Sequence, residues 1–250
     1  DDLPEIGRRF AAVKKKKKLE ASSIGFMVKA KDVLENVLCP RYYDPEIAAE
    51  LEQVTGTHHL LRFGDLVAEG CLAVQTGDEV GKLAYSTGNI PFIRTSDLSN
   101  WEIKVDPKHC IDREYYERLR GKQDVQPYDI LMVKDGTYLI GTCAIITEYD
   151  QEIIYQSHLY KIRVRENKHG LTPFLLLAIL SSPVVHRQIK AKQFTQDIID
   201  SLGERIKELV LPVPKAKSKR DKITELVKKV IDDRVEAREL ARKARQEVLT

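Results

Sequence analysis

From Ala216 to Val248 the chain runs without a Gly or Pro, so nothing there ends a helix once it has begun. Ile223, Val227, Val230, Arg234, Ala237, Ala241, Ala244 and Val248 recur in that stretch at alternating spacings of four and three. This is the pattern of a coiled-coil seam, with Arg234 as its one charged member. A lone helix of this length has nothing to bury such a seam against, so the pattern calls for a partner helix. Small alanines in the distal half would let the partner approach closely. The helical segments near the N-terminus look too short to cover the seam, and the partner can lie in this chain or in another.

Charge narrows the partners further. The net charge of the 250 residues is only +3, but it is unevenly spread. Lys14 to Lys18 form a run of five, and between Arg187 and Arg220 nine Lys or Arg face four Asp or Glu. Such a stripe suits a polyanion, and it equally suits a solvated helix face. Cys39, Cys71, Cys110 and Cys143 are scattered, with no C-x-x-C pair and no His at metal-ligand spacing. They read as reduced, mostly buried thiols of a cytoplasmic protein, with no metal or cofactor expected. No stretch is apolar enough to span a bilayer, and no membrane partner is expected. The first residue is Asp1 rather than Met, which suggests a piece of something longer.

The fold class expected is α+β, a β-rich globular domain over 59–214 followed by the long helix over 215–250. Residues 1–58 read as a helical connector. Within it, 1–20 form a short amphipathic helix (Ile6, Phe10, Val13), Lys29–Leu38 is helical in pattern, and Asp44-Pro45 caps a helix through Leu51. From His59 to Val164 short β-prone runs alternate with turn residues. The runs are Leu60–Phe63, Phe92–Arg94, Glu102–Val105, Ile130–Val133, Leu139–Ile146, Ile153–Tyr155 and Leu159–Val164. Lys134-Asp135-Gly136-Thr137 predicts a tight hairpin turn. Asp112–Leu119 is a helical insertion. Thr172-Pro173 and Ser182-Pro183 start two further helices, and the prolines of Leu209–Pro214 keep that segment extended.

Three short patterns have the outline of catalytic sites, and each also has an ordinary structural reading. Asn89-Ile90-Pro91-Phe92 has the outline of the N-P-P-F loop of amino-methyltransferases, but Ile stands at the second position and no Gly-rich cofactor turn precedes it. It reads better as the entry to a strand. Asp97, Glu102 and Lys104 fit the D…E-x-K outline of a magnesium-dependent nuclease. Their gap looks too short for an intervening hairpin, and Trp101 lies inside it. A Cys143–His158 dyad has nothing else in the sequence to support it.

Several segments together resemble the target-recognition domain of type I restriction–modification specificity (S) subunits. In order they are NIPFIRTSDLSNW, YDILMVKDGTYLIGTCAII, QSHLYKIRV, LLLAILSSPVVHRQIKAKQFTQDIIDSLGERIKELVLPVP and the terminal helix. The resemblance runs from about Asp65 to the C-terminus. It implies a mixed α/β recognition domain that reads half of a split DNA site, with no catalysis of its own. It further implies an adenine-N6 methyltransferase as partner, a possible associated nuclease, and an antiparallel second helix. The chain holds one such domain and one helix where the usual subunit has two of each. Residues 1–60, with Cys39-Pro40-Arg41-Tyr42-Tyr43-Asp44-Pro45, are similar to the connector after a fused methyltransferase domain.

The residues expected to face double-stranded DNA divide by chemistry. Lys134, Arg187, Lys190 and Lys192 would neutralise phosphates. Arg94, Thr95, Ser96, the Asp135–Tyr138 hairpin and Gln193 would reach bases. Helix pairing would use Ile223, Val227, Val230, Ala237, Ala241, Ala244 and Val248, giving a homodimer that reads a palindromic split site, or a pairing with another specificity half. The rival readings are a nuclease built on Asp97, Glu102 and Lys104, and an assembly subunit that docks through its terminal helix and reads nothing.

Overall fold

The computed structural model describes residues 1–17, 19, 25–34, 37–104, 106–136, 138–196 and 199–248. Helix α1 (Leu3–Lys14) forms as its apolar spacing predicts, yet Leu3, Ile6, Phe10 and Val13 are all exposed. The helix expected over 29–38 is instead a single 3₁₀ turn at Ala30–Asp32, after which Val33 is extended; residues 35 and 36 lie outside the described ones. Tyr43 supplies the reason. Its hydroxyl accepts from the Leu34 amide at 2.9 Å and donates to the Val37 carbonyl at 2.7 Å, engaging backbone groups that a helix would use. Helix α2 (Pro45–Val54) starts where Asp44-Pro45 predicts, with the Asp44 carboxylate accepting from the Glu46 amide at 3.0 Å.

The domain proper opens with β1 (His58–Arg62) and closes with the Pro-containing strand Val210–Pro214, which pairs with it antiparallel. Between them lie α3 (Phe63–Ala68), β2 (Leu72–Thr76), β3 (Ile90–Ile93), β4 (Leu98–Ser99), β5 (Glu102–Ile103), β6 (Cys110–Ile111) and α4 (Arg113–Gln123). Then come β7 (Ile130–Val133), β8 (Asp135–Gly136), β9 (Cys143–Ile145), β10 (Ile154–Tyr155) and β11 (Leu159–Val164). The main sheet is antiparallel, in the order β2-β11-β7-β9. All four residues of β7 are buried, because both faces of this central strand are covered. A second sheet, β10-β3-β6, takes Ile90-Pro91-Phe92 of NIPF into strand β3, parallel to β10, with Asn89 just before it. Gly88 at its entry is required, since a Cβ there would run into the Ile111 carbonyl.

The chain then turns helical: α5 (Pro173–Leu180), α6 (Pro183–Lys192), β12 (Phe194–Gln196), β13 (Ile199–Ser201), β14 (Val210–Pro214) and α7 (Lys217–Glu247). Thr172 caps α5 by accepting from the Leu175 amide at 3.1 Å, and Leu175, Leu176, Leu177 and Leu180 are fully buried.

The turn expected at 134–137 is corrected by the structure; Thr137 lies outside the described residues. Asp135 and Gly136 are a strand, β8, paired with Asp200 and Ser201 of β13. The reversal between β7 and β9 falls later, where Gly141 at φ +89° sends its amide back to the Val133 carbonyl at 3.0 Å. The strand expected over 139–146 shortens accordingly to β9. Of the strand expected at 102–105, Glu102 and Ile103 form β5, and Val105 lies outside the described residues.

Helix α7 does not project free along its whole length. It rests on α5 and β14 through Ile223, Val227, Ile231 and Val235. Two members of the expected seam, Ile223 and Val227, are therefore used against the chain's own domain. Val230, Ala237, Ala241, Ala244 and Val248 are exposed. The proximal half of α7 thus finds its partner within the chain.

Candidate nucleic-acid interface

Helix α6 places Arg187 and Lys190 one turn apart, and its C-terminal residue is followed directly by Gln193. Opposite them stand Tyr138, from the reversal after β8, and Arg41, from a 3₁₀ turn held between Cys39-Pro40 and Asp44-Pro45. Together they line an open depression of about 370 Å³. Arg41 donates to the Gln193 carbonyl at 2.6 Å, which ties the N-terminal connector to the end of α6. Tyr138 is 87% exposed and Lys190 is exposed, so an aromatic face and a cation are presented side by side.

Four of the residues expected at DNA therefore meet on one surface: Tyr138, Arg187, Lys190 and Gln193. Arg187 is the least free of them, since its guanidinium pairs with Glu50 and lies 3.9 Å from Glu46. Arg41 also belongs to this surface and is not among the residues expected there, because only folding brings it beside Gln193, some 150 positions later in the chain. The signal that bore on it was the pair of prolines that fixes its turn.

Lys192 turns the other way. Its ammonium sits 2.9 Å from Glu208 and 4.2 Å from the centre of the Tyr42 ring, and its side chain is 16% exposed. Burial pushes the Glu208 carboxyl up, but hydrogen bonds from Tyr42 and Lys192 outweigh it and hold it below its usual range. This ammonium already has its counter-ion.

Lys134, Asp135 and Arg94 are likewise engaged. The buried Asp135 carboxylate accepts from Ser201 at 2.6 Å, from His158 at 3.0 Å and from Lys134 at 3.1 Å. It holds β8 and β13 in place and presents no free edge. Arg94 contacts His109 at 3.0 Å and Gln156 at 3.5 Å, and its amide donates to the Asp97 carboxylate at 2.9 Å. Thr95 and Ser96 sit on the 3₁₀ turn that Asp97 closes.

The nuclease residues do not converge. Contrary to the expectation from their spacing, a hairpin does fit between them: β4 and β5 pair around Asn100 and Trp101, which take φ +50° and +70°. The Asp97 carboxylate is buried in its own turn, whereas Glu102 reaches Arg234 of α7 at 3.4 Å. The Asp97 carboxylate accepts from the Arg94 amide and the Glu102 carboxylate faces Arg234, so each already has a partner of its own. Cys143 is buried, which pushes its thiol up to about 12. His158 is occupied by Asp135, so no dyad forms.

No protein-family model matches the chain, and no curated protein matches it in sequence. Solved structures do match in fold. The S subunit of a type I restriction–modification system from M. genitalium superposes with a TM-score of 0.50 at 16% identity, over 76% of this chain and 44% of that one. The type IIG restriction endonuclease BpuSI superposes with a TM-score of 0.50 at 12% identity, over 75% of this chain and 28% of that one. The chain thus spans less than half the length of either protein. No helix among the described residues is long and apolar enough to cross a membrane. The resemblance carried by NIPFIRTSDLSNW and YDILMVKDGTYLIGTCAII is borne out in the fold: a mixed α+β domain with a long C-terminal helix, built as in a type I S subunit.

Proposed function

We propose that the chain is a sequence-specific DNA-recognition module of a restriction–modification system, without catalysis of its own. It would direct an adenine-N6 methyltransferase, with or without a nuclease, to a target site. The observation that carries this reading is the meeting of Tyr138, Arg41, Lys190 and Gln193 on one concave surface of an S-subunit-like fold. Lys190 and Arg41 supply positive charge for phosphates, Gln193 keeps its amide oxygen for a base edge while its Nε2 donates to Asp200 at 3.3 Å, and Tyr138 offers a face for stacking or sugar contact. In this reading residues 59–214 form the recognition domain, 1–58 connect it to the methyltransferase, and 215–250 set its spacing from a second copy. The setting would be cytoplasmic. Binding-site selection on random duplexes tests the proposal, and an enriched motif is the expected result.

A second reading, assembly without DNA reading, draws on the exposed apolar residues of α7, among them Leu226, Val230 and Leu240. Selection that returned no enriched motif would favour it.

A further inference from the structure

Three side chains gathered by the fold take no part in the proposed interface. Glu69 follows the end of α3, Cys71 precedes β2, and His169 comes from the loop between β11 and α5. One donor atom from each lies within 4.8 Å of the others, and this is the one such His/Cys/Asp/Glu group among the described residues. His169 Nε2 is 3.0 Å from Glu69 Oε2, and Cys71 Sγ is 3.8 Å from the same oxygen. Metal bonds of about 2.0–2.3 Å in a tetrahedron set donors roughly 3.3–3.7 Å apart. The two distances to Glu69 lie within a few tenths of an ångström of that range, and the Cys71–His169 pair, within 4.8 Å, has to close by up to about 1 Å to share the ion.

The backbone around them is fastened. Gly70, at φ +76°, reverses the chain between Glu69 and Cys71. The Cys71 carbonyl accepts from the Arg165 amide at 2.8 Å. Asn167 accepts from the His169 and Leu171 amides at 3.1 and 3.0 Å, and donates to the Arg165 and Leu171 carbonyls. The His169 loop is therefore set by its own hydrogen bonds. Lys168 lies 3.2 Å from Glu69, but its side chain is 73% exposed and free to swing into solvent.

We propose that Glu69, Cys71 and His169 bind a divalent transition metal, with zinc the best match to the donor set. One sulfur, one imidazole nitrogen and one carboxylate oxygen suit zinc, whereas magnesium and calcium take oxygen ligands. Water completes the fourth position. On binding, the Cys71 thiol gives its proton to solvent and the Lys168 ammonium leaves the carboxylate. The ion staples the α3–β2 turn to the loop that starts α5. His169 lies 98 residues beyond Cys71, so short-range ligand spacing could not reveal the site.

Titrating the full chain with Co²⁺ tests this, since thiolate-to-cobalt charge transfer reports directly on sulfur ligation. One equivalent should produce the band. Cys71→Ser should abolish it, while the Cys39→Ser/Cys110→Ser double variant should keep it. His169→Gln, a change in a surface loop, should weaken binding by more than the roughly 10–100-fold typical of losing an outer-shell partner. Zn²⁺ should raise the Tm of the unaltered chain and not that of His169→Gln. No band in the unaltered chain, a band that survives Cys71→Ser, or undiminished affinity in His169→Gln would each overturn the assignment. Should Cys71→Ser fail to fold, His169→Gln decides alone.

Discussion

Arg238, about two-thirds of the way along α7, sets its guanidinium 3.2 Å from the carboxylate of Asp150, and their side chains are only 4% and 10% exposed. Thr147 joins the pair, donating to Asp150 at 2.5 Å and accepting from Arg238 at 3.3 Å. The ion pair fixes the long helix to the domain beyond the last apolar contacts at Ile231 and Val235. Arg238→Ala would leave Asp150 largely desolvated without its counter-charge, and should cost about 3 kcal/mol in urea unfolding. The Arg238→Ala/Asp150→Ala double variant should lose less than the sum of the two single changes. Additive losses would mean that the pair carries no coupling.

The sequence announced those parts of the fold that local chemistry decides. Asp44-Pro45, Thr172-Pro173 and the prolines of Leu209–Pro214 act within a few residues, and the elements they mark are present. What it concealed depends on distant partners. Asp135-Gly136 has the composition of a tight turn, but Ser201 and His158 claim the Asp135 carboxylate and draw the segment into a sheet. Lys192 and Lys190 look alike in the sequence, and only Glu208 and Tyr42 tell them apart. Arg238 is invisible to a search for apolar spacing, and its partner lies 88 residues earlier in the chain.

That difference between two lysines is measurable. Lys190 is exposed, whereas Lys192 is already neutralised. Lys190→Ala should weaken binding to all duplexes alike and lower the slope of log K against log salt by about one unit. Lys192→Ala should leave the slope unchanged and instead reduce stability, because Glu208 loses its cation. Anisotropy titrations over a salt series separate the two, and an unchanged slope in Lys190→Ala would remove α6 from the DNA surface.

Tyr138 contributes almost nothing to the core at 87% exposure. Tyr138→Ala should therefore leave stability within about 0.5 kcal/mol of the unaltered chain. If its ring contacts a base, affinity for the selected motif should fall by roughly 1–3 kcal/mol, with little change on unrelated duplexes. An equal loss on both classes of duplex would place Tyr138 at the phosphates.

Asp135 should leave a mark on acid stability. Burial pushes its carboxyl up, but hydrogen bonds from Ser201, His158 and Lys134 outweigh it and hold the folded value below the usual range. Its contribution is then complete above the unfolded value of about 3.9 and is lost as pH falls through the lower folded value. Asp135→Asn should flatten this part of the acid limb in urea unfolding measured over a pH series. An identical acid limb in the variant would show that other carboxylates set it.

The last test concerns what α7 offers once its inner face is used. With Ile223 and Val227 turned to the domain, the exposed apolar stripe is Leu226, Val230, Ala237, Leu240 and Ala244. It keeps the spacing of four and three if Asp233 is counted in the gap. This stripe lies on the face of the helix next to the expected seam, with Leu226 and Leu240 in place of Ile223 and Val227 as its largest members. If two copies pair through this stripe, Leu240→Glu places a carboxylate against the partner helix and should convert dimer to monomer. Because Leu240 is 58% exposed in the single chain, the fold should survive the change. Light scattering at tens of micromolar reads the outcome, and a monomeric unaltered chain at that concentration would sink the pairing.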